Sequence, residues 1–563
     1  MMVSPSVPAS LTDTLTPKSD ELLFLALGGA GEIGMNLNLY GHAGKWLMVD
    51  LGIAFTDDTM PGVEVIMPDP LFIEEQRDNL AGIVLTHAHE DHLGAVPDLW
   101  PRLKAPVYAT PFAASVLRRK LVEAGLRDEV PVVEVPLGGK FRVGPFELEM
   151  VTMTHSIPEP NALAIRTKLG TVFHTGDWKI DPDPLLGELT DEARLKQIGE
   201  EGALAMVCDS TNVFVEGEAG SEATVRTNLE KIVRARRNRI AVTCFASNLA
   251  RVESIAKAAV AAGRHPVLSG RALQRMVEAA QECGYLLDFP QTVGEREAGF
   301  LPRDKVLYIC TGSQGEPRAS MAKLAFGDHR DLVLEEGDCA IFSARVIPGN
   351  ERGVGRLHNA LMARGVEIVD DRDAQIHVSG HPARDELVRV YQWIRPQIAL
   401  PVHGEMRHMV EHAGLARACQ VPETVLAPNG TMVRLAPGPA RVIDHVHAGR
   451  LARDGDGLVE VEGEALRERR KLLWNGAAAV TLVVDGHGRA KAPPVVTLRG
   501  IDDEEGALGR AIVAGLKEML ADLGAGERRD DERIREAARQ SVRRVVRAHL
   551  GKKPLTDVHI VRI

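Results

Sequence analysis

The chain has 563 residues, of which 45% are hydrophobic and 26% are charged, so we expect several packed domains and exclude a globally disordered protein. Acidic residues outnumber basic ones and give a formal net charge of −11, which excludes a surface that is basic throughout but leaves a local basic groove open. Six cysteines without a Cys-x-x-Cys pair indicate reduced thiols in a cytoplasmic protein. The longest early apolar run, 22–31, is too short to span a bilayer, so we expect no membrane association.

Short apolar runs typical of buried strands begin at residue 22, after a leader over 1–20 that is rich in Ser, Thr and Pro and that we expect to be flexible. Helical stretches lie between some of these runs, for example at 111–125. The strands predicted for this first region are 22–27, 46–50, 82–86, 106–109, 146–153, 171–174 and 203–208.

From about residue 222 the pattern becomes a regular alternation of strand, loop and helix, which is typical of a parallel α/β sheet. A Gly- and Asp-rich segment over 448–463 predicts a linker. Beyond it, two strands, two charged helices and a final edge strand predict a small separate domain, at 478–484, 495–498, 504–523, 529–549 and 558–563. The alternating region itself predicts strands at 240–245, 266–269, 305–310 and 339–343, a helix at 271–283 and further strands at 374–379 and 398–402.

The strongest chemical signal is the sequence HAHEDH at 87–92, which directly follows a predicted strand. It places four ligand-type side chains within six residues, namely His87, His89, Asp91 and His92. So many ligand-type side chains fit two neighbouring ions more naturally than one tetrahedral ion, and imidazole with carboxylate suits Zn²⁺ or Mn²⁺. Further ligand candidates also follow strand-like runs, namely His155, Asp177 and His403, with His174 a weaker candidate that fits an ordinary strand histidine.

These residues resemble the metallo-β-lactamase fold, and three later motifs resemble its β-CASP nuclease branch: CDSTN at 208–212, HVSGH at 377–381 and PVHGE at 401–405. With LGGAGEIGMN at 27–36, nearly the whole chain resembles the bacterial ribonuclease J family. The implied α/β architecture is a metallo-β-lactamase αββα sandwich with an inserted β-CASP domain and a small α+β C-terminal domain. The boundaries expected are 21–220 and 371–447 for the sandwich, 221–370 for the insert, 448–463 for the linker and 464–563 for the C-terminal domain.

The resemblance implies two divalent metal ions per chain, Zn²⁺ first and Mn²⁺ or Mg²⁺ as alternatives. One ion would be held by His87, His89 and His155. The other would be held by Asp91, His92 and His403, with Asp177 bridging both. Asp50 and Asp209 would support the site from behind the ligands, and the catalytic residues expected are Asp91, Asp177 and His381.

The resemblance also implies an enzyme that hydrolyses single-stranded RNA, as a 5′→3′ exonuclease that prefers 5′-monophosphate ends and has some endonuclease activity, in RNA processing and decay. Alternation over 374–381 favours a half-buried strand with one polar face, and the resemblance makes this a phosphate clamp. Ser247 and Asn248 open a helix, so they predict phosphate binding or simple capping with equal weight. The full set of substrate-binding candidates is His377, Val378, Ser379, Gly380, His381, Ser247 and Asn248.

Two other readings of the sequence remain at this point: a hydrolase of small thioesters or lactams, and a catalytically dead RNA-binding scaffold. The large insert disfavours the first, and the complete ligand set disfavours the second. Basic runs at 234–239 and 543–547 fit either a solvated helix face or an RNA contact. An apolar stripe of Ala511, Ile512, Leu516 and Leu520 fits either an internal core or a dimer interface, and we expect a homodimer, with a tetramer and association with RNA-decay proteins as extensions.

Overall fold

The computed structural model describes residues 16–56 and 60–563, which form two compact units. The first contains 16–54 and 67–449, and the second contains 55–56, 60–66 and 450–563. The chain crosses between the units in the strands Ala54–Phe55 and Val65–Pro68. Residues 1–15 of the predicted leader lie outside the described residues. Within the described residues, no helix is long and apolar enough to cross a membrane.

The first unit is built on two sheets that share one apolar core. Phe24 and Leu47 reach this core from the first sheet, and Leu163 and Leu400 reach it from the second. The first sheet orders Arg441–His445, Thr431–Ala436, Leu22–Gly28, Leu37–His42, Lys45–Val49, Leu80–Val84, Val107–Ala109 and Val132–Glu134. The second orders Lys140–Val143, Phe146–Thr152, Asn161–Thr167, Gly170–His174, Ala205–Asp209, Ile398–Val402 and Glu423–Thr424.

Helices accompany this pair of sheets and complete the predicted sandwich. Leu195 and Ile198 from one helix, and Leu387 and Val390 from another, pack with the second sheet's Phe173 in a separate cluster. The α-helices of this part are Leu71–Glu74, Glu90–Leu93, Val96–Leu103, Pro111–Glu123, Glu192–Glu201, Arg384–Ile394 and Met406–Ala418. A 3₁₀ turn at Arg77–Asn79 and a two-strand pair of Ala30–Gly31 with Gly404–Glu405 complete it.

The inserted region is a parallel sheet, as its strand–helix alternation predicts. The sheet orders His265–Ser269, Val306–Cys310, Ile240–Thr243, Cys339–Phe342 and Glu367–Val369, and its pairs are parallel. Its helices are Glu222–Ala235, Leu249–Ala261, Arg271–Glu282, Glu295–Ala298, Ser320–Phe326 and Glu351–Ala363, with a 3₁₀ turn at Arg303–Lys305. The architecture predicted for the first unit, a sandwich interrupted by an α/β domain, is confirmed.

The second unit ends in a small sheet packed against two helices. Ala477–Val484 is the central strand, antiparallel to Val495–Arg499 and parallel to Leu555–Arg562, so the last strand lies at an edge as predicted. The helices of this unit are Glu464–Asn475, Ala507–Asp522 and Asp531–Leu550, with 3₁₀ turns at Glu504–Gly506 and Glu527–Arg529.

One expectation for this region is wrong, and one choice that the sequence left open is decided. The predicted linker 448–463 contains a hairpin of Arg450–Asp454 with Gly457–Glu460, because Gly455, at a φ of +61°, allows a tight turn between the paired Asp454 and Gly457. Of the two alternatives left open for the apolar stripe, the structure supports the internal core, and its fourth member, Ala511, is partly exposed. Ile512, Leu516 and Leu520 are buried in the core of their own unit, against the sheet and the second helix.

We therefore expect Leu516→Ala to lower the free energy of unfolding of the C-terminal unit by about 2–5 kcal/mol, because it leaves a cavity in a closed core. The adjacent Lys517→Ala, at an exposed position, is the matched control and should change stability by less than about 0.5 kcal/mol. Hydrogen exchange of 477–563 in the full chain measures both. If Leu516→Ala left the hydrogen-exchange protection unchanged but lowered the assembly mass, the stripe would be an interface between chains and not an internal core.

Candidate metal centre

Three neighbouring parallel strands of the second sheet bring their carboxyl ends to one edge. Gly170–His174, Ala205–Asp209 and Ile398–Val402 pair in parallel register. Carboxyl ends of parallel strands are the usual position of a site in α/β proteins. Asp177, Asp209 and His403 are therefore brought together although they are far apart in the chain.

The first sheet supplies the HAHEDH segment to the same place. Leu80–Val84 lies parallel to Lys45–Val49, so residues that follow both strands meet beyond their ends. The short helix Glu90–Leu93 then turns Asp91 and His92 back toward this point. His87 and His92 are buried, whereas His89 and Asp91 stay partly exposed.

One group consists of His87, His89 and His155, whose ring nitrogens converge. His89 Nδ1 lies 3.0 Å from His87 Nε2 and 3.0 Å from His155 Nε2. Burial lowers the pKa of all three rings, to about 4 for His89, and neighbouring histidines lower it further for His87 and His155. All three are therefore neutral at pH 7, which is the form that coordinates metal.

Hydrogen bonds behind this group aim its lone pairs inward. His87 Nδ1 lies 3.0 Å from Thr86 Oγ1, which itself donates to the Asp50 carboxylate, so Nδ1 carries the proton and donates to it. His155 Nδ1 donates to the carbonyl of Gly380. Both arrangements leave Nε2 as a lone pair directed at His89, and this donor set fits a divalent cation.

A second group consists of Asp91, His92, Asp177 and His403. His92 Nε2 lies 3.1 Å from Asp177 Oδ2, and His403 Nε2 lies 3.2 Å from Asp91 Oδ2. Burial alone would lower the pKa of His92 and His403, but the carboxylates, Asp177 foremost, outweigh it and raise both. Asp177 also lies 3.9 Å from His155 Nε2, so its carboxylate faces both groups. This second group therefore favours positive charge at its centre.

Asp50 and Asp209 lie behind the ligand candidates and hold their rings. Asp50 Oδ2 accepts from His92 Nδ1 at 2.7 Å and also receives the hydroxyl of Thr86. Asp209 Oδ2 accepts from His381 Nδ1 at 2.7 Å, and its Oδ1 lies 3.5 Å from His403 Nδ1. Both carboxylates are buried. Such outer contacts fix the tautomer and orientation of the rings that they hold.

The backbone is constrained at the same points. Asp50 and His403 have φ values of +66° and +50°, in the left-handed region of backbone conformation that residues other than glycine rarely adopt. His403 is held there by donating its N–H to the carbonyl of Gly29 at 2.6 Å. Gly52 has no room for a side chain, because a Cβ there would lie 1.7 Å from the carbonyl oxygen of Asp91. The path of the chain behind the site is thus tightly determined.

The segment 374–381 differs from its prediction, because it is irregular and belongs to no sheet among the described residues. Ser379 Oγ accepts hydrogen bonds from Asn212 Nδ2 at 2.7 Å and from the His381 N–H at 3.1 Å. Val378 is buried beside Gly220. A Cβ at Gly380 would lie 2.6 Å from the His155 ring, so only glycine fits there.

Among the described residues, His377 does not contact the ligand candidates through a hydrogen bond, unlike His381, which is held by Asp209 beside them. The Nδ1 of His377 is buried without a partner in the part of the chain that the structure describes. Burial, with the nearby cation Arg251, lowers the pKa of His377 to about 3. The alternation that grouped His377 with Ser379 and His381 therefore fails, because the backbone here is not extended as a strand.

Several other predicted residues have structural duties. Asn248 caps the helix Leu249–Ala261 through Arg251 N–H, which is the capping alternative left open by the sequence, while Ser247 remains partly exposed. His174 Nδ1 lies 2.9 Å from the Tyr40 hydroxyl inside the core, as an ordinary strand histidine. In the first basic run, Arg236 and Arg239 form ion pairs with Glu367 and Asp338.

Sequence reasoning missed Arg251, whose side chain is fully buried at the base of the 374–381 segment. Its guanidinium donates to both oxygens of the buried Glu222 carboxylate, at 2.8 and 2.9 Å. It also donates to the carbonyls of Ser343 and Ile376, at 2.9 and 3.0 Å. One residue of the insert therefore anchors the backbone directly before His377. Thr86 and Asn212 were also missed, although each adjoins or belongs to a quoted motif.

Comparison with known proteins agrees with this geometry. Family models match the chain as a "Beta-lactamase superfamily domain" over 57–196, a "Ribonuclease J, beta-CASP domain" over 237–361, a "Zn-dependent metallo-hydrolase RNA specificity domain" over 370–425 and a "Ribonuclease J C-terminal domain" over 464–563. Ribonuclease J of Sinorhizobium meliloti is 45% identical over 97% of this chain and 98% of its own. The chain belongs to the ribonuclease J family.

Other relatives extend the same result. Ribonuclease J of Mycolicibacterium smegmatis is 38% identical over 96% of this chain and 97% of its own. A crystal structure of a protein of unknown function from Enterococcus faecalis V583 matches 74% of this chain and 100% of its own, with a TM-score of 0.52 at 15% identity, which supports the fold alone. As a member of the ribonuclease J family, this chain is a metal-dependent ribonuclease that binds RNA, so the small-molecule hydrolase and the inactive scaffold are set aside.

Arg251→Met should lower the free energy of unfolding by about 3–5 kcal/mol, because it leaves Glu222 buried without its partner. Arg226→Met is the matched control on the neighbouring helix. Arg226 is partly exposed, and its buried partner Glu253 keeps a second ion pair with Lys257, so the loss of Arg226 should cost clearly less than the loss of Arg251. Urea unfolding of the full chain compares the two. Equal destabilisation by both variants would contradict the anchoring position of Arg251.

Proposed function

We propose that the chain hydrolyses RNA with two divalent cations, Zn²⁺ before Mn²⁺ or Mg²⁺, held by His87, His89 and His155 on one side and by Asp91, His92 and His403 on the other, with Asp177 between them. The observation that supports this most directly is the Asp177 carboxylate, which faces both groups of ring nitrogens. Bound cations would supply Lewis-acid polarisation of the phosphate and lower the pKa of water.

The chain's own residues would orient the reaction and move a proton. Asp91 is partly exposed beside the buried Asp177, so both carboxylates can accept hydrogen bonds from an attacking water. His381 is held through Nδ1 by Asp209, and its Nε2 makes no hydrogen bond within the described residues. We assign to this Nε2 the transfer of a proton to the leaving oxygen, because it is the ring atom left available beside the metal groups.

We further propose that the segment 377–381 receives the 5′-phosphate of RNA, which would make the enzyme a 5′→3′ exonuclease that prefers monophosphorylated ends and also cuts internally. The support is the hydrogen-bond arrangement of Ser379. Its Oγ already accepts from Asn212 and from the His381 N–H, so its own hydroxyl hydrogen is left to donate to an anion. Ser247 stays a candidate for a second phosphate contact.

The proposal includes a homodimer, with a tetramer as the alternative, and association with other proteins of RNA decay in the cytoplasm. The buried stripe no longer supports a dimer. The support that remains is an exposed apolar end of the helix Glu464–Asn475, where Leu473 is 59% and Trp474 is 75% exposed. Light scattering of the full chain measures the assembly directly.

Asp177→Asn should reduce the content of both metal ions and slow RNA hydrolysis by at least about 100-fold, because it removes a carboxylate that faces both groups. His403→Ala should reduce one ion more than the other. Elemental analysis and a turnover assay on 5′-monophosphorylated RNA, with and without chelator, measure these effects. The exposed Asp183→Asn is the matched control. Full turnover of Asp177→Asn with unchanged metal content would reject the two-ion assignment.

Ser379→Ala should slow the decay of 5′-monophosphorylated RNA by about 10–100-fold, because a hydrogen bond to a charged phosphate contributes about 1.5–3 kcal/mol. A circular RNA of the same sequence has no 5′ end and serves as the control, whose cleavage should be unchanged. RNA with a 5′-triphosphate should be degraded more slowly than the monophosphate by the unmodified chain. If both 5′ ends decay at one rate, and Ser379→Ala slows circular RNA equally, the pocket is elsewhere.

A further inference from the structure

A surface concavity of about 600 Å³ lies in the C-terminal unit, on the second half of its last helix. The helix Asp531–Leu550 supplies most of the lining, and the residue that follows its end by three positions supplies the rest. Every lining side chain is exposed. The lining residues are Gln540, Arg543, Arg544, Arg547, Ala548 and Lys553.

The four cations of this concavity have no carboxylate partner within ion-pair distance in the described residues, whereas Arg535 and Arg539, earlier on the same helix, pair with Glu532 and Glu536. Like charges four positions apart on a helix repel, as those of Arg543 and Arg547 do here. The helix dipole favours a cation in the last turn, which accounts for Arg547 but not for the two arginines of the preceding turn. The cluster thus concentrates positive charge that an anion in the concavity would neutralise.

We propose that this concavity binds the phosphate backbone of the RNA substrate, as a contact separate from the metal centre. Guanidinium groups match phosphate oxygens in two parallel hydrogen bonds, and a strand of RNA offers one phosphate at every nucleotide. Because the whole chain carries a net charge of −11, a polyanion would be attracted to local clusters of cations such as this one rather than to the surface as a whole.

The lining also argues against a protein partner. Its uncharged members are Gln540 and Ala548, so it lacks the aromatic anchors that protein interfaces use. A phosphate contact carries no sequence information, so the concavity would strengthen binding of long RNA of any sequence. This inference rests on RNA as the substrate and does not depend on the proposed 5′ preference.

The test compares RNA affinity over a series of KCl concentrations, using full-length chains that carry Asp177→Asn and a fluorescent uridine homopolymer of about 40 nucleotides. The logarithm of the affinity falls as the logarithm of the salt concentration rises, and each phosphate contact on a single strand contributes about 0.7 to the steepness of this fall. Replacing Arg543, Arg544 and Arg547 together by Ala should therefore make the fall less steep by about 2. At low salt, affinity should fall at least several-fold. The comparison is repeated on chains with native Asp177 in EDTA, so that it does not depend on the role proposed for that residue.

The matched control replaces Arg533, Arg535 and Arg539 by Ala, which removes the same charge from the first half of the same helix. Its salt slope should stay within error of the parent. An unchanged slope in the Arg543, Arg544 and Arg547 variant, or an equal fall in both variants, overturns the proposal. Photocrosslinking of 4-thiouridine RNA to the parent chain needs no substitution: adducts should map to 540–553, and their absence there also overturns it.

Discussion

The contact between one buried carboxylate and two groups of histidines is the interaction around which the first unit is organised. Asp177 lies 3.1 Å from His92 Nε2, 3.7 Å from His403 Nδ1 and 3.9 Å from His155 Nε2. A buried charge is costly unless opposite charge and hydrogen bonds surround it. Residues that follow strands of both sheets, together with His381, meet this requirement, so the site and the fold depend on one another.

The ligand candidates are held by hydrogen bonds to the side of each ring that faces away from the centre. Asp50 fixes His92, Thr86 fixes His87, and the Gly380 carbonyl fixes His155. The last contact connects the two halves of the chemistry, since Gly380 lies between Ser379 and His381. A shift of the segment 377–381 would therefore turn the ring of His155, one of the ligand candidates. Arg251, at the base of the same segment, resists such a shift from within the inserted domain.

Patterns in the sequence predicted the parts of the fold that are buried on both faces and the residues that follow strand ends. Runs such as Leu22–Gly28 are wholly apolar because both faces are covered. Strands with mixed faces, such as Lys140–Val143, and the exposed edge strand Arg441–His445 lack that signal and were not predicted. The hairpin at 450–460 looks like a linker in the sequence because its turn and a linker share the same Gly and Asp composition.

The ligand candidates were found because HAHEDH is dense in metal-binding side chains, whereas the groups behind them were not. Thr86 and Gly380 act through one hydroxyl and one carbonyl, and such contacts leave no compositional mark. Nothing in the sequence distinguishes Arg251 from the exposed arginines, because its role follows from its burial. His377 shows the opposite failure: period-two alternation placed it with Ser379 and His381, but the rule holds only for an extended strand and this segment is irregular.

The order of strands in the second sheet has a consequence for synthesis of the chain. Ala205–Asp209 pairs on one side with Ile398–Val402, which the ribosome adds only after the entire inserted domain. Until then Asp209 stands at an open sheet edge and His403 does not exist. A nascent chain that already contains HAHEDH therefore lacks a complete centre while it is still tethered beside its own messenger RNA. Because one domain interrupts another, the residues of the site are not all present until most of the chain has been synthesised.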